Sequence, residues 1–261
     1  MKSILKSFAV AFSMYSKIPM PRFQWASRDM EYHLCFFPLV GTVIGVLELL
    51  WIFLCRKINA SVPFTNICAV AIPLLVTGGF HVDGFMDTMD AVHSYQDREK
   101  KLEILKDPHI GAFSVICVIT FFLLATAFTF EIKTYEGFIS VSFAFVLSRI
   151  LSGISVITFP KAKKNGMLAT ESNTGCKKTV VAVLVIELIF SIATVVYLTF
   201  PKSFCGIVSA ASFALTYSYY YFMSKKHFGG ITGDLAGFFI CISELASLIA
   251  VAATLFVEAA I

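Results

Sequence analysis

The sequence predicts an all-α, polytopic membrane protein with about seven transmembrane helices, preceded by an N-terminal amphipathic or re-entrant helix. Three observations support this prediction. The chain of 261 residues is 57% hydrophobic and has a mean hydropathy of +0.81, whereas soluble domains average roughly 45–50% apolar residues. Seven segments approach the roughly 20 apolar residues that cross a bilayer. The ionisable residues are concentrated between those segments.

The N-terminal residues 4–12 form a weaker apolar pattern beside Lys6, so a surface or re-entrant helix is expected there. A signal peptide is the alternative, but Pro19 and Pro21 follow instead of a small-residue cleavage site. We find no soluble domain or internal repeat, and therefore predict one integral-membrane domain over residues 1–261. The seven predicted spans are residues 34–55, 62–80, 110–130, 137–159, 179–200, 204–223 and 236–257.

The distribution of basic residues predicts the orientation in the membrane. Of the 21 Lys and Arg residues, 16 fall in the segments 1–33, 81–109, 160–178 and 224–235, and 4 in the connections on the other side. Because basic loops remain in the cytoplasm, we expect a cytoplasmic N-terminus, a C-terminus outside, and the location of a bacterial inner-membrane protein. All five His residues fall on the cytoplasmic side, where we expect the active site.

Three aspartates, Asp83, Asp87 and Asp90, follow the second predicted span at spacings of four and three residues. On a helix of about 100° per residue they fall within an arc of roughly 60°. Like charges on one face destabilise a helix, so a cation is expected there, and oxygen ligands suit Mg²⁺ or Mn²⁺. A solvated helix start capped by Asp83 or a neighbour is the alternative.

The residues around these aspartates favour a phosphate-bearing ligand. Gly78, Gly79 and Gly84 permit close approach of the backbone to a ligand. Mg²⁺ usually takes one or two carboxylates together with water and substrate phosphates, so a diphosphate-containing substrate is expected. His81 is interpreted as a general base, a donor to phosphate, or a structural residue.

Residues 98–113 form a second candidate site. The apolar residues at 102, 104 and 105 predict a short amphipathic helix at the membrane surface. Asp107 is then expected to cap the next span, with Pro108 as its first residue. That helix start, with Lys106 and His109 alongside, could hold a phosphate; the alternative is a plain capped span with basic residues at the headgroups.

A third group opens the last span. Asp234 lies at the membrane boundary and is either a further metal ligand or, with Thr232, a helix cap. Glu244 lies inside the span, where a carboxylate needs a partner, and Arg149 in the fourth span is the candidate. The basic loop 160–178 could close over an anion, although the positive-inside bias is the commoner explanation of such a loop.

Taken together, these blocks resemble those of the adenosylcobinamide-GDP ribazoletransferases, or cobalamin synthases. The resemblance extends over nearly the whole chain, and its most specific parts are the central glycine–aspartate block and the block around Lys106. Two positions differ from the usual family pattern: Lys17 where Arg is more frequent, and Ala91 where Gly is usual. The matching blocks are S-K-I-P at 16–19, F-P-L-V-G at 37–41, G-G-F-H-V-D-G-F-M-D-T-M-D at 78–90, K-D-P-H-I-G-A-F at 106–113 and T-G-D-L-A-G at 232–237.

The resemblance implies that the 3′-hydroxyl of α-ribazole, or of its 5′-phosphate, attacks adenosylcobinamide-GDP and releases GMP, at the last stage of cobalamin biosynthesis. It implies the lipid bilayer and these small molecules as partners, no nucleic acid, and an oligomeric state that the sequence leaves open. The implied Mg²⁺ ligands are Asp83, Asp87, Asp90 and, less directly, Asp234. The implied catalytic and substrate-binding residues are His81, His109, Lys106, Arg98, Lys17, Gly78, Gly79 and Thr232.

Two other classes of protein compete with this interpretation. A CDP-alcohol phosphatidyltransferase also holds metal with spaced aspartates in a membrane helix, but Asp83-Gly84 is not followed by the Ala-Arg pair of that motif. A cation-coupled transporter would use Glu48, Glu187 and Glu244 inside the spans. That class leaves the cytoplasmic aspartates unexplained.

Overall fold

A computed structural model describes residues 2–21, 23–162 and 176–261 of the protein. In this part of the chain there is no β-strand, and Lys161 and Ile231 form an isolated parallel bridge. The predicted all-α class is therefore confirmed. The described helices are α1 (Lys2–Tyr15), α2 (His33–Lys57), α3 (Val62–Thr77), α4 (Phe80–His93), α5 (Arg98–Ile104), α6 (Ala112–Thr129), α7 (Tyr135–Thr158), α8 (Lys177–Thr199), α9 (Cys205–Phe228) and α10 (Gly233–Ala260), with a 3₁₀ turn at Ser27–Met30.

Each of the seven predicted segments is helical. By length and composition, α2, α6, α7, α8 and α10 could each cross a membrane, and α3 with α4 would make a sixth span despite a bend of 93° between them. The segment 204–223 corresponds to α9, whose Ser, Thr and Tyr residues make it less apolar than the others. Five to six candidate spans agree roughly with the predicted seven.

The predicted N-terminal helix is present as α1, which packs one face against α2. Val10 and Ala11 are fully buried, whereas Ile4 and Leu5 near the start of the helix are exposed. Ser7 fastens the helix by donating a hydrogen bond to the Asp29 carbonyl (2.7 Å). The helix is therefore amphipathic, as its interrupted apolar pattern predicted.

The helix α7 lies at the centre of the bundle and packs against α2, α8, α9 and α10. Two glycines of α2 determine how closely α2 and α7 approach each other. A Cβ atom at Gly41 would lie 2.9 Å from the Cδ of Arg149 and even closer to the Phe145 carbonyl, and one at Gly45 would lie 2.7 Å from the Ser142 carbonyl. Only glycine therefore fits at these two positions of the α2–α7 crossing.

An ion pair joins α7 to α10 inside the bundle. The guanidinium of Arg149, 1% exposed, bonds the Glu244 carboxylate, 15% exposed. Ser148 donates to the same carboxylate oxygen (2.8 Å), and Arg149 also donates to the Phe145 carbonyl (3.0 Å). The two charges that the sequence left unmatched are thus partners, which offsets much of the cost of placing either one in an apolar interior.

The predicted start of the third span is wrong by about one turn. The short surface helix is present as α5, but the next helix, α6, begins at Ala112 with Gly111 at its N-cap. Asp107 is therefore not its cap. Its carboxylate instead accepts a hydrogen bond from the backbone N–H of His109 (3.0 Å), which forms a local turn.

The contact at Gly41 predicts a stability defect for Gly41→Ala. The added methyl group would push α2 away from the Phe145 carbonyl, and overpacking of this kind costs about 1–3 kcal/mol. We expect a lower midpoint of thermal unfolding in detergent. The matched control is Gly233→Ala, because no atom lies within 4 Å of a Cβ at Gly233; an equal loss in both variants would contradict the proposed crossing constraint.

Candidate functional site

Two consecutive glycines separate α3 from α4. Gly78 and Gly79 have φ angles of 66° and 82°, in the left-handed region that residues with a Cβ atom rarely adopt. Gly78 ends α3 and Gly79 precedes the first residue of α4, so the chain turns by 93° within these two residues. Because of this change of direction, the first helical turn of α4, whose backbone N–H groups are unsatisfied, points away from α3.

A cavity lies against this turn, and we call it the outer cavity. Its volume is about 420 Å³, measured as the space open to the centre of a water molecule. Lys17 lies across Gly78, where a Cβ atom would be 2.3 Å from the lysine Cε. Its backbone N–H donates to the Val76 carbonyl (2.8 Å). The lining residues are Ser13, Met14, Ser16, Lys17, Thr77, Gly78, Gly79, Phe80, Val82, Asp83 and Met86.

The start of α10 packs directly on the aspartate-bearing helix. A Cβ atom at Gly84 would lie 2.7 Å from the Asp234 carbonyl, and one at Gly237 would lie 3.0 Å from the His81 carbonyl. Thr232 caps α10 by accepting from the Leu235 N–H (3.3 Å), and its hydroxyl also contacts the Asp234 carboxylate (3.3 Å). Asp234 is thereby held against α4, as its assignment to the metal site requires.

The three aspartates of α4 do not share one role. Asp83 is exposed and lines the outer cavity. Asp90, in contrast, accepts hydrogen bonds from the backbone N–H groups of Gly111 (2.8 Å) and Ser114 (2.9 Å). It caps the N-terminus of α6 from a distance of more than 20 residues in sequence, a contact that the spacing of aspartates does not indicate.

The carboxylates nevertheless form one electrostatic group. Asp87 is half-buried, and the charges of Asp83, Asp234 and Asp90 all act on it. In the described part of the chain, no three His, Cys, Asp or Glu side chains come together as a preformed metal site. Mg²⁺ needs only one or two carboxylates because water and phosphate complete its shell, so the oxygen donors of Asp83, Asp87 and Asp234 fit this ion.

His81 faces away from the outer cavity. Its side chain is 4% exposed and lines a second, inner cavity between the helices, together with Arg149 and Glu244. Its Nε2 atom has no hydrogen-bond partner among the described residues. The sequence could not show which side of α4 the imidazole occupies, and the predicted catalytic role of His81 stays a prediction.

Arg98 binds the protein's own backbone. Its Nε donates to the Phe228 carbonyl (2.8 Å) at the end of α9, and its guanidinium fills the space where a Cβ atom of Gly229 would lie. Lys101, which sequence analysis did not single out, is 6% exposed and lies 3.1 Å from the Nδ1 of His227. Both side chains therefore join α5 to α9 in this structure.

Lys106 and His109 lie on the surface, outside the lining of the outer cavity in the described residues. The side chain of His109 is 88% exposed, and its Nδ1 lies 2.6 Å from the Asp107 carboxylate. The backbone and side-chain hydrogen bonds from His109 lower the pKa of Asp107. The predicted roles of Lys106 and His109 in phosphate binding and proton transfer remain predictions.

Two backbone hydrogen bonds join the start of the basic loop to the segment that precedes α10. The N–H of Ala162 donates to the Ile231 carbonyl (3.0 Å), and the N–H of Ile231 donates to the Pro160 carbonyl (2.8 Å). Burial and the charge of Lys177 lower the pKa of Lys161 to about 8. The predicted closure of this loop over an anion concerns residues 163–175, which lie outside the described residues.

Comparison with known proteins gives a consistent result. A relative from Lachnoclostridium phytofermentans, called adenosylcobinamide-GDP ribazoletransferase, is 40% identical over 251 residues that cover 95% of this chain and 93% of the relative. Relatives of the same name from Clostridium botulinum (strain Alaska E43) and Geobacillus sp. are 31% and 28% identical, and cover 95% and 92% of this chain and 97% and 92% of their own.

No solved structure matches the chain. The sequence model of the family described as cobalamin-5-phosphate synthase matches residues 7–252, a range that includes every residue lining the outer cavity and all four aspartates of the cluster. The chain therefore belongs to the cobalamin-5-phosphate synthase family.

Proposed function

We propose that the protein joins adenosylcobinamide-GDP to α-ribazole, or to α-ribazole 5′-phosphate, in a Mg²⁺-dependent transfer at the cytoplasmic membrane face. Membership of the family makes the chain a transferase of cobalamin biosynthesis. The observation that supports the proposed substrates and metal is the outer cavity, which is lined by Lys17, the backbone of Gly78–Gly79 and Asp83.

The outer cavity suits a diphosphate. The Lys17 ammonium and the N–H groups at the start of α4 attract anionic oxygens, and the two glycines add no side chain of their own at the turn. Lys17 gives a point charge without the bidentate geometry of Arg. The Lys17 side chain lies across Gly78, and this placement supports a role for its ammonium group beside the start of α4.

The reaction is a substitution at phosphorus. The ribazole 3′-hydroxyl forms a new P–O bond with the cobinamide-proximal phosphorus, the bond from that phosphorus to the bridging oxygen breaks, and GMP leaves with the bridging oxygen. The hydroxyl proton passes to a base or to water. Positioning and neutralisation of charge dominate catalysis of such transfers, and Lys17 and the start of α4 supply both.

Asp83, Asp87 and Asp234 are the proposed Mg²⁺ ligands. When bound, Mg²⁺ neutralises charge on the diphosphate and so favours departure of GMP. The two hydrogen bonds from α6 occupy one lone pair on each oxygen of Asp90, which makes Asp90 a support of the site in this proposal. Arg98, bound to the Phe228 carbonyl, is likewise assigned to the scaffold.

The first prediction concerns turnover. Purified protein in Mg²⁺ with adenosylcobinamide-GDP and α-ribazole should release GMP, and Asp87→Asn should lower the rate by at least two orders of magnitude because it removes a metal-facing charge. GMP is measured by chromatography, with Asp97→Asn as the control, since Asp97 caps α5. Folded wild-type protein without GMP release would exclude the proposal; full activity of Asp87→Asn would remove that residue from the metal site.

The second prediction distinguishes the structural role of Asp90 from the metal-binding role of Asp87 by their effects on thermal stability. Without divalent ions, Asp90→Ala should lower the midpoint of thermal unfolding, because two backbone N–H groups at the start of α6 lose their acceptor, at a cost of about 1–3 kcal/mol. Asp87→Ala should leave the midpoint unchanged or raise it, because it relieves repulsion among like charges. Equal destabilisation by both variants would contradict this division of roles.

The third prediction concerns orientation, for which the bias of basic residues is the support. A reporter enzyme that is active only outside the cytoplasm, fused after Ile261, should be active in intact cells. The same reporter placed between Tyr95 and Gln96, in the exposed connection before α5, should be inactive. The reverse pattern would place the proposed site on the outer face.

A further inference from the structure

The inner cavity has walls that differ from those of the outer cavity. It lies between α2, α3, α6, α7 and α10 and has a volume of about 100 Å³ open to the centre of a water molecule. Aromatic and aliphatic side chains such as Phe121, Phe138 and Leu248 form most of its lining. A ligand in this space would be small and mostly apolar.

Few polar groups reach this apolar space, and two of their nitrogen atoms, Nε of Arg149 and Nε2 of His81, are buried without a hydrogen-bond partner among the described residues. Arg149 is already bonded to Glu244 through another nitrogen, so a charged ligand would have to break that pair. His81 has no such ion pair among the described residues, and its Nε2 is the atom that a neutral ligand can reach without breaking one. Buried polar atoms of native proteins are nearly always satisfied, which indicates that a ligand or a water molecule completes this one.

The inner cavity adjoins the outer cavity. Thr77 and Val82 line both spaces, and His81 and Asp83, on either side of Val82, line one each. A single ligand with a polar part and an apolar part could therefore occupy both, if it passed between Thr77 and Val82. An acyl chain would pack against the apolar walls but would leave the His81 imidazole without a hydrogen-bond partner. A neutral heteroaromatic ring would pack against the same walls and would also accept a hydrogen bond from the imidazole.

We propose that the inner cavity binds the benzimidazole ring of the ribazole substrate, with His81 Nε2 donating a hydrogen bond to the unsubstituted ring nitrogen. The ribose then extends past Thr77 and Val82, and its 3′-hydroxyl reaches the outer cavity. This inference rests on the proposed function for the identity of the ligand. It assigns His81 to substrate recognition instead of proton transfer.

The test measures binding of the free base, without the second substrate or Mg²⁺. Wild-type protein in lipid nanodiscs should bind 5,6-dimethylbenzimidazole saturably at one site, measured by equilibrium dialysis. Ala125→Phe places a ring in the inner cavity and should weaken binding at least tenfold. The matched control is Ala193→Phe on the exposed side of α8, which should bind the base as the wild type does.

A second variant tests the hydrogen bond and guards against misfolding. His81→Leu adds little volume and should also weaken binding of the base at least tenfold, whether or not Ala125→Phe folds. In turnover, each variant should raise KM for α-ribazole more than KM for adenosylcobinamide-GDP. A purely structural role of His81 would lower stability without this selective change in KM.

Three outcomes would overturn the inference: no saturable binding of the base by folded wild type, unchanged binding by folded Ala125→Phe and His81→Leu, or native mass spectrometry showing a lipid in the cavity that the base does not displace. Its failure is distinguishable from failure of the proposed function. GMP release without binding of the base would support the transferase activity and would exclude the inner cavity as the binding site of the ring. Binding of the base without GMP release would support the cavity and count against the transfer.

Discussion

The left-handed turn at Gly78 and Gly79 determines where the chemistry of this protein lies. Without it, α3 and α4 would continue as one straight helix, and Asp83 and Asp87 would not lie beside Lys17 and the start of α10. With it, α4 lies at 93° to α3, its first turn shares the outer cavity with Lys17, and Asp83, the fourth residue after Gly79, lines the same cavity. Glycine is needed twice, once for each positive φ angle.

The helix α4 separates two environments because its successive residues point to different sides. Asp83 faces a polar space, and His81 faces an apolar space two residues earlier. The chain can hold both because α10 packs against α4 along its length, with Gly84 and Gly237 permitting backbone contact. One helix thus presents a titratable side chain to each of two adjoining cavities.

The sequence predicted the elements of this structure better than their contacts. Apolar runs located every long helix because hydrophobic length is a local property, and the cost of isolated charges correctly indicated Arg149 as the partner of Glu244. The hydrogen bonds of Asp90 and Arg98 to backbone groups of α6 and α9 were not predicted, because those partners carry no sequence signal. The side of α4 that His81 occupies depends on the rotation of that helix, which tertiary packing sets.

The pairing of Arg149 with Glu244 has a consequence for how the protein enters the membrane. The two residues are 95 positions apart, and α10 follows α7, α8 and α9 in the chain. Since chains are made from the N-terminus onward, the guanidinium of α7 is synthesised well before the carboxylate that pairs with it. The apolar interior around Arg149 therefore reaches its electrostatic balance when a helix made much later docks against α7.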